Sequence, residues 1–195
     1  MKKNEMNKLC SHFEYYFNQP IYKIFHDNDD KFHVDIILFE PNEQYPFYKL
    51  VTMGASDYAM PAINNSLPNR NEYILFLCVE IDVNSEQFKW YLNFLSYSSK
   101  YSFNEKTYIS VGHNIELEPG SHQLFNGAFV LFPQIIEDSR VLRCKLGMFK
   151  TCACLQVMPI TENELNNNLS VDIETSLDYF YPEEGEAIFL ANRKL

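Results

Sequence analysis

Apolar positions along the chain alternate between helical and strand spacing, and the switches divide it into elements. Met6, Leu9, Cys10, Phe13 and Phe17 recur at helical intervals, predicting an amphipathic helix over 4–18 that Asn18-Gln19-Pro20 ends. A short strand over 21–25 follows, then the polar turn Asp27-Asn28-Asp29-Asp30. Runs 34–39 and 48–52 read as paired strands, joined by the turn residues Glu40-Pro41-Asn42-Glu43-Gln44. The continuous apolar run 73–79 predicts a central strand buried on both faces. Residues 85–100 form the clearest helix, with Ser85 as N-cap, a core stripe of Phe88, Tyr91, Leu92 and Leu95, and Trp90 at its edge. Strands are expected at 107–111, 128–132 and 153–158, separated by Gly112, Pro119-Gly120, Gly127 and Pro133. Thr161 and Glu164 make a capping box that opens a short helix, and a second helix over 171–181 would bury Leu177 and Phe180. The apolar triplet Ile188-Phe189-Leu190 near the C-terminus would dock on the domain. Interleaved signals of this kind predict an α+β domain, a central mixed β-sheet flanked by helices.

The segment after the third strand carries the strongest candidate site. Tyr48, Leu50 and Thr52 alternate with Lys49, Val51 and Met53, and the strand empties into Gly54, a residue that tolerates positive φ, and then Ser56-Asp57. Polar loops on a rigid scaffold often carry function. The same side chains can instead hold the turn, with Met60-Pro61 plugging the core beneath. His33 and Asp35 share one strand face nearby, and Ser56 is the only nucleophile close to them in sequence. No nucleophile-elbow glycine pattern surrounds Ser56, so a hydrolase is disfavoured and no catalytic residue is assigned.

Charge narrows the choice of partner. The 195 residues carry 26 acidic against 16 basic side chains, a net charge of −10. Between Thr151 and Asn192 stand Glu162, Glu164, Asp172, Glu174, Asp178, Glu183, Glu184 and Glu186, with no lysine or arginine. Direct nucleic-acid binding needs a basic face and is disfavoured, whereas a basic protein partner is the natural complement. Asp178, Glu183, Glu184 and Glu186 are the candidate steering charges, with Tyr179 and Tyr181 as aromatic anchors. Thirteen tyrosines and sixteen phenylalanines also favour a binding protein over an enzyme.

Cofactor signals are weak. The five cysteines, Cys10, Cys78, Cys144, Cys152 and Cys154, read as reduced thiols. Cys152-x-Cys154 with Cys144 suggests a metal only remotely, since no Cys-x2-Cys pair or spaced histidine pair supports it; no metal or cofactor is expected. The acidic turn at 27–30 lacks the glycine and glutamate of a calcium loop. No apolar run suits a membrane span, and the first residues lack the apolar block of a signal peptide, so a cytoplasmic protein of one domain, 1–195, is expected.

The order His33-x-Asp35, Leu50-Val51-Thr52-x-Gly54-x-Ser56-Asp57-x-x-Met60, then Arg70-x-Glu72 opening an apolar strand, resembles the suppressor-of-fused-like domain. Val157-Met158-Pro159-Ile160-Thr161-Glu162-Asn163-Glu164-Leu165 is similar to that family's closing segment, and the resemblance runs from about residue 30 to 180; Ala55 departs from it where the family usually has methionine. The resemblance implies a partner-binding domain whose family-motif loop comprises His33, Asp35, Thr52, Gly54, Ser56, Asp57 and Met60. Bacterial stand-alone members are associated with polymorphic toxin systems. That implies an immunity protein, or antitoxin, neutralising a co-encoded LXG-type toxin with a basic nuclease domain. A regulatory scaffold binding a peptide of an endogenous protein is the alternative.

Overall fold

The structure is a computed structural model and describes residues 1–29, 31–62, 68–118, 120, 122–133, 135–180 and 191. In chain order the elements are α1 (Lys3–Phe17), β1 (Lys23–Phe25), β2 (Asp35–Phe39), β3 (Phe47–Met53), β4 (Asn71–Cys78), α2 (Glu86–Asn104), β5 (Asn114–Glu116), β6 (Phe125–Leu131), β7 (Arg143–Lys145), β8 (Thr151–Thr161), α3 (Glu162–Ser170) and α4 (Ile173–Phe180). The strands join in one eight-stranded sheet of order β1-β2-β3-β4-β8-β6-β5, with β7 also paired to β8. The β4–β8 pair is parallel and the other pairs are antiparallel, so the sheet is mixed.

The two faces of the sheet explain why its central strands are apolar throughout. Alternate residues, Leu50 on β3, Leu75 on β4, Val157 on β8 and Val130 on β6, pack against Phe88, Tyr91 and Leu95 of α2. The opposite parity, Val51, Ile74, Phe76 and Cys154, packs against Leu9, Phe13 and Phe17 of α1. Farther along that face, Phe129, Leu131, Met158 and Ile160 receive Phe180 of α4. A strand covered on both sides cannot show a polar face. Tyr73–Leu77 of β4 are therefore all buried.

β3 is an instructive case because it carries Lys49 on the covered face. Lys49 is fully buried, its ammonium donating to the Tyr45 carbonyl at 3.3 Å among the rings of Phe17, Tyr45 and Phe47 at 5.7–5.9 Å. Burial pulls its pKa down to about 8. The unfolded lysine holds its proton to a higher pH, so this burial penalty is full below about pH 8 and fades as pH rises to the unfolded value near 10.5. Lys49→Met is expected to raise stability at pH 7 by about 1–2 kcal/mol and to remove the rise that wild type shows between those pH values. Urea denaturation across that range checks both.

Several predicted elements shift, each for an identifiable reason. The 85–100 helix runs on to Asn104 because Ser98, Ser99 and Ser102 occupy its buried face, where small polar residues carry no hydrophobic signal; Ser85 caps it by accepting from the Phe88 N–H. Phe94 lies in the core while Leu92 is only partly buried. The 107–111 segment is not a strand. Its Ile109 is buried, but the backbone there is held by side chains: the Ile109 N–H donates to Met60 Sδ and its carbonyl accepts from Asn71 Nδ2 at 2.9 Å. Strand pairing begins instead at β5, and the three-residue β5 and β7 are too short to show a period. The Ile188-Phe189-Leu190 triplet lies outside the described residues.

Candidate functional site

The family-motif loop is organised around one residue, Glu72 at the start of β4. Its carboxylate is fully buried and accepts from the Thr52 hydroxyl at 2.7 Å, the Ser56 hydroxyl at 2.6 Å, and the Gly54 and Ser56 N–H groups at 3.1 and 3.0 Å. Thr52 Oγ1 in turn accepts from the Tyr73 N–H at 2.7 Å. Among the described residues Glu72 makes no ion pair, so hydrogen bonds alone hold this carboxylate. Burial raises its pKa above the ordinary carboxyl value, against the four hydrogen bonds, which lower it.

Outside this centre two further contacts fix the loop. Arg70 Nη1 donates to the carbonyls of Ser56 and Asp57, both at 2.8 Å, closing the short 3-10 turn of Ala55–Asp57. Asp57 pairs with Lys150 at 2.6 Å and with the amino-terminal ammonium, and Lys150 reaches Glu5 on α1 at 3.1 Å. Burial pushes the Asp57 carboxyl up, but the hydrogen bonds from Lys150 and the ammonium outweigh it and leave the pKa lowered. A lowered folded pKa gives stability above the unfolded value near 3.8 that is lost as pH falls through the folded value. Asp57→Asn is accordingly expected to cost about 1 kcal/mol at pH 7 and progressively less as pH falls through the folded value, as acid and neutral urea titrations will read.

The sequence-predicted residues thus separate into groups. Thr52, Gly54, Ser56 and Asp57 converge as a brace, and Met60 plugs the core with its sulfur beside Asn71 Nδ2 and the Ile109 N–H. The bonding within the loop differs from a self-contained turn: Ser56 donates its hydroxyl to Glu72 and Asp57 reaches Lys150, across the fold. His33 and Asp35 stand apart, with His33 Nε2 2.9 Å and His26 Nδ1 3.3 Å from Asp35 Oδ1, which also accepts from the Asp27 N–H. Because the Ser56 proton points at Glu72, the His33–Asp35 pair does not serve it as a base. Glu72 was the residue whose role the sequence hid; the one signal was a carboxylate opening an otherwise apolar strand.

Other candidate chemistry also resolves into structure. Asp27 and Asp29 pair with Lys100 of α2 at 2.5 and 3.0 Å, with Lys100 and nearby backbone N–H groups holding the Asp29 pKa at about 2. Cys144 and Cys152 face each other across β7 and β8, buried as free thiols, and Cys154 Sγ lies 4.0 Å from His12 Nε2. No group of three or more His, Cys, Asp or Glu side chains among the described residues is arranged to hold a metal ion. No helix among them is long and apolar enough to cross a membrane.

The acidic C-terminal segment behaves differently. Glu164 is taken up by the α3 capping box, donor and acceptor being reciprocated with Thr161. Glu162, Asp172, Glu174 and Asp178 are exposed, and between them Leu169, Val171, Ile173 and Tyr179 stand 43–66% exposed. Tyr181, Glu183, Glu184 and Glu186 lie outside the described residues.

The family model for "Suppressor of fused protein (SUFU)" matches residues 30–194. The chain belongs to the suppressor of fused family. No curated protein matches it significantly. Among solved structures it is similar to a SUFU homologue from Neisseria gonorrhoeae FA 1090, with a TM-score of 0.66 at 14% identity, covering 99% of this chain and 97% of that one. A Sufu–Fu complex structure matches with a TM-score of 0.60 at 12% identity, over 95% and 92% of the two chains. Drosophila Suppressor of Fused matches with 0.58 at 14% identity, over 90% of this chain and 49% of that one. The α+β domain with its mixed sheet and flanking helices is the fold these structures share.

Proposed function

We propose that this chain is a cytoplasmic immunity protein that binds and neutralises a co-encoded polymorphic toxin, of LXG type with a basic nuclease domain, by stoichiometric contact. The observation that carries the reading is the α3–α4 surface. Four large apolar side chains stand in solvent there among four carboxylates, in a segment without lysine or arginine. Exposed apolar groups clustered with one sign of charge suit a protein interface whose partner bears the opposite sign. Family membership adds that the fold is used for protein binding, since one similar structure is of a Sufu–Fu complex. Catalysis has no comparable support, because Ser56 and Asp57 are consumed by the brace.

Co-expression with the product of the adjacent gene, followed by pull-down and growth rescue, tests the proposal. Rescue with a one-to-one complex supports it. A folded protein that neither binds nor rescues against an active toxin contradicts it and favours the regulator that binds an endogenous peptide.

A further inference from the structure

An aromatic cleft of about 310 Å³ opens between α2 and the segment following β5. Trp90, Phe94 and Tyr97 line one wall, at positions one helical turn apart, and Leu117 and Glu118 line the other. Phe94 stacks on Trp90 at 5.3 Å, and His122 and Phe125 lie against the indole at 4.3 and 5.6 Å. These neighbours preset the ring planes. Glu118 is the carboxylate that lines the cleft, and burial first, then charges led by Glu118, hold the Tyr97 phenol above its ordinary pKa. The Tyr97 hydroxyl is itself turned outward to the Glu116 carbonyl at 3.2 Å. No lysine or arginine is among the described residues lining the cleft.

Flat aromatic faces beside an exposed carboxylate suit a planar cation. A guanidinium stacks on such rings and pairs with a carboxylate at its edge, whereas an ammonium is more strongly hydrated and lacks the plane. The location agrees. β5 ends the sheet, with α2 over the face bearing Ile115, and α3 is tied to the same strand by Asn168 Nδ2 donating to Asn114 Oδ1 at 3.1 Å. The cleft and the acidic α3–α4 surface therefore flank one edge of the molecule.

We propose that this cleft is an anchor site for an arginine side chain of the basic partner, with Trp90, Phe94 and Tyr97 packing around the guanidinium and Glu118 pairing with it. The inference rests on the reading of a basic partner, but its test does not need that partner. Trp90 is the single tryptophan, so its indole N–H resonance reports the cleft directly. Acetylated Gly-Arg-Gly amide, titrated through the millimolar range, should shift that resonance saturably. The lysine and norleucine analogues should bind at least about threefold more weakly, and Glu118→Gln, a change at an exposed residue, should weaken the arginine peptide by a similar factor. An unshifted indole, equal response to the norleucine peptide, or an unchanged affinity in Glu118→Gln would overturn the anchor site. None of those outcomes touches toxin binding, which the co-expression experiment decides separately.

Discussion

Replacing Glu72 by leucine is expected to destabilise the protein by about 3–5 kcal/mol, a large part of the roughly 5–15 kcal/mol that holds a domain of this kind folded. The leucine fills most of the space but leaves two hydroxyls and two backbone N–H groups without their acceptor in the interior. Glu72→Gln separates shape from charge. Its amide oxygen can take the three donors that now reach Oε1, while one amide N–H faces Thr52 Oγ1, leaving the Thr52 hydroxyl proton and the second amide proton unplaced. It should cost about 1–2 kcal/mol, well short of the leucine variant. The pH profile supplies a second readout. A carboxyl whose folded pKa is raised contributes fully below its unfolded value, near 4.5, and loses that contribution as pH rises through the folded value. Glu72→Gln should flatten that decline. If urea midpoints show the leucine and glutamine variants equally stable, the carboxylate is not the centre of the brace.

Gly54→Ala is expected to cost about 2–4 kcal/mol, from two sources that add. The residue sits at φ 127°, a left-handed conformation that side chains resist, and a Cβ there would lie 2.7 Å from the backbone oxygen of His33. That oxygen lies two residues before β2, whose register with β3 begins at Asp35 and Met53. Gly120 provides the comparison, since it too has positive φ, 78°, but nothing lies within 4 Å of its would-be Cβ. Gly120→Ala should cost about 1 kcal/mol, and the difference between the two variants measures the collision. Similar losses at both positions would mean that the His33 backbone moves aside.

What could be read from the sequence depended on how local the determining interaction is. The central strand, the N-cap at Ser85 and the Thr161–Glu164 capping box were readable because each is set by residues a few positions apart. The extension of α2 past Lys100 was not, because buried serines look like surface. Nor was the irregular 107–111 segment, where Met60 and Asn71, distant in sequence, supply the backbone's hydrogen bonds. The candidate loop was found through glycine and short polar residues, yet its purpose was not. Ser56 and Thr52 meet Glu72 only when β3 and β4 pair, and Asp57 meets Lys150 across 93 residues. Conversely, the acidic bias of the C-terminal segment was plain in the sequence, but the apolar quartet among those charges became an exposed surface only in the fold.

On the proposed function labour is divided within the molecule: the motif loop holds the fold, and the acidic, apolar α3–α4 surface would meet a basic partner. The most direct test is the association rate with the purified toxin domain of the adjacent gene, across ionic strength, for wild type, Glu174→Lys/Asp178→Lys and Ser56→Ala. The double reversal is expected to slow association at least about tenfold at low salt and to flatten its salt dependence, because it removes long-range attraction. Ser56→Ala, less stable but folded, should associate at the wild-type rate. Unchanged rates in the double reversal together with a slowed Ser56→Ala would place the partner on the loop and not on the α3–α4 surface.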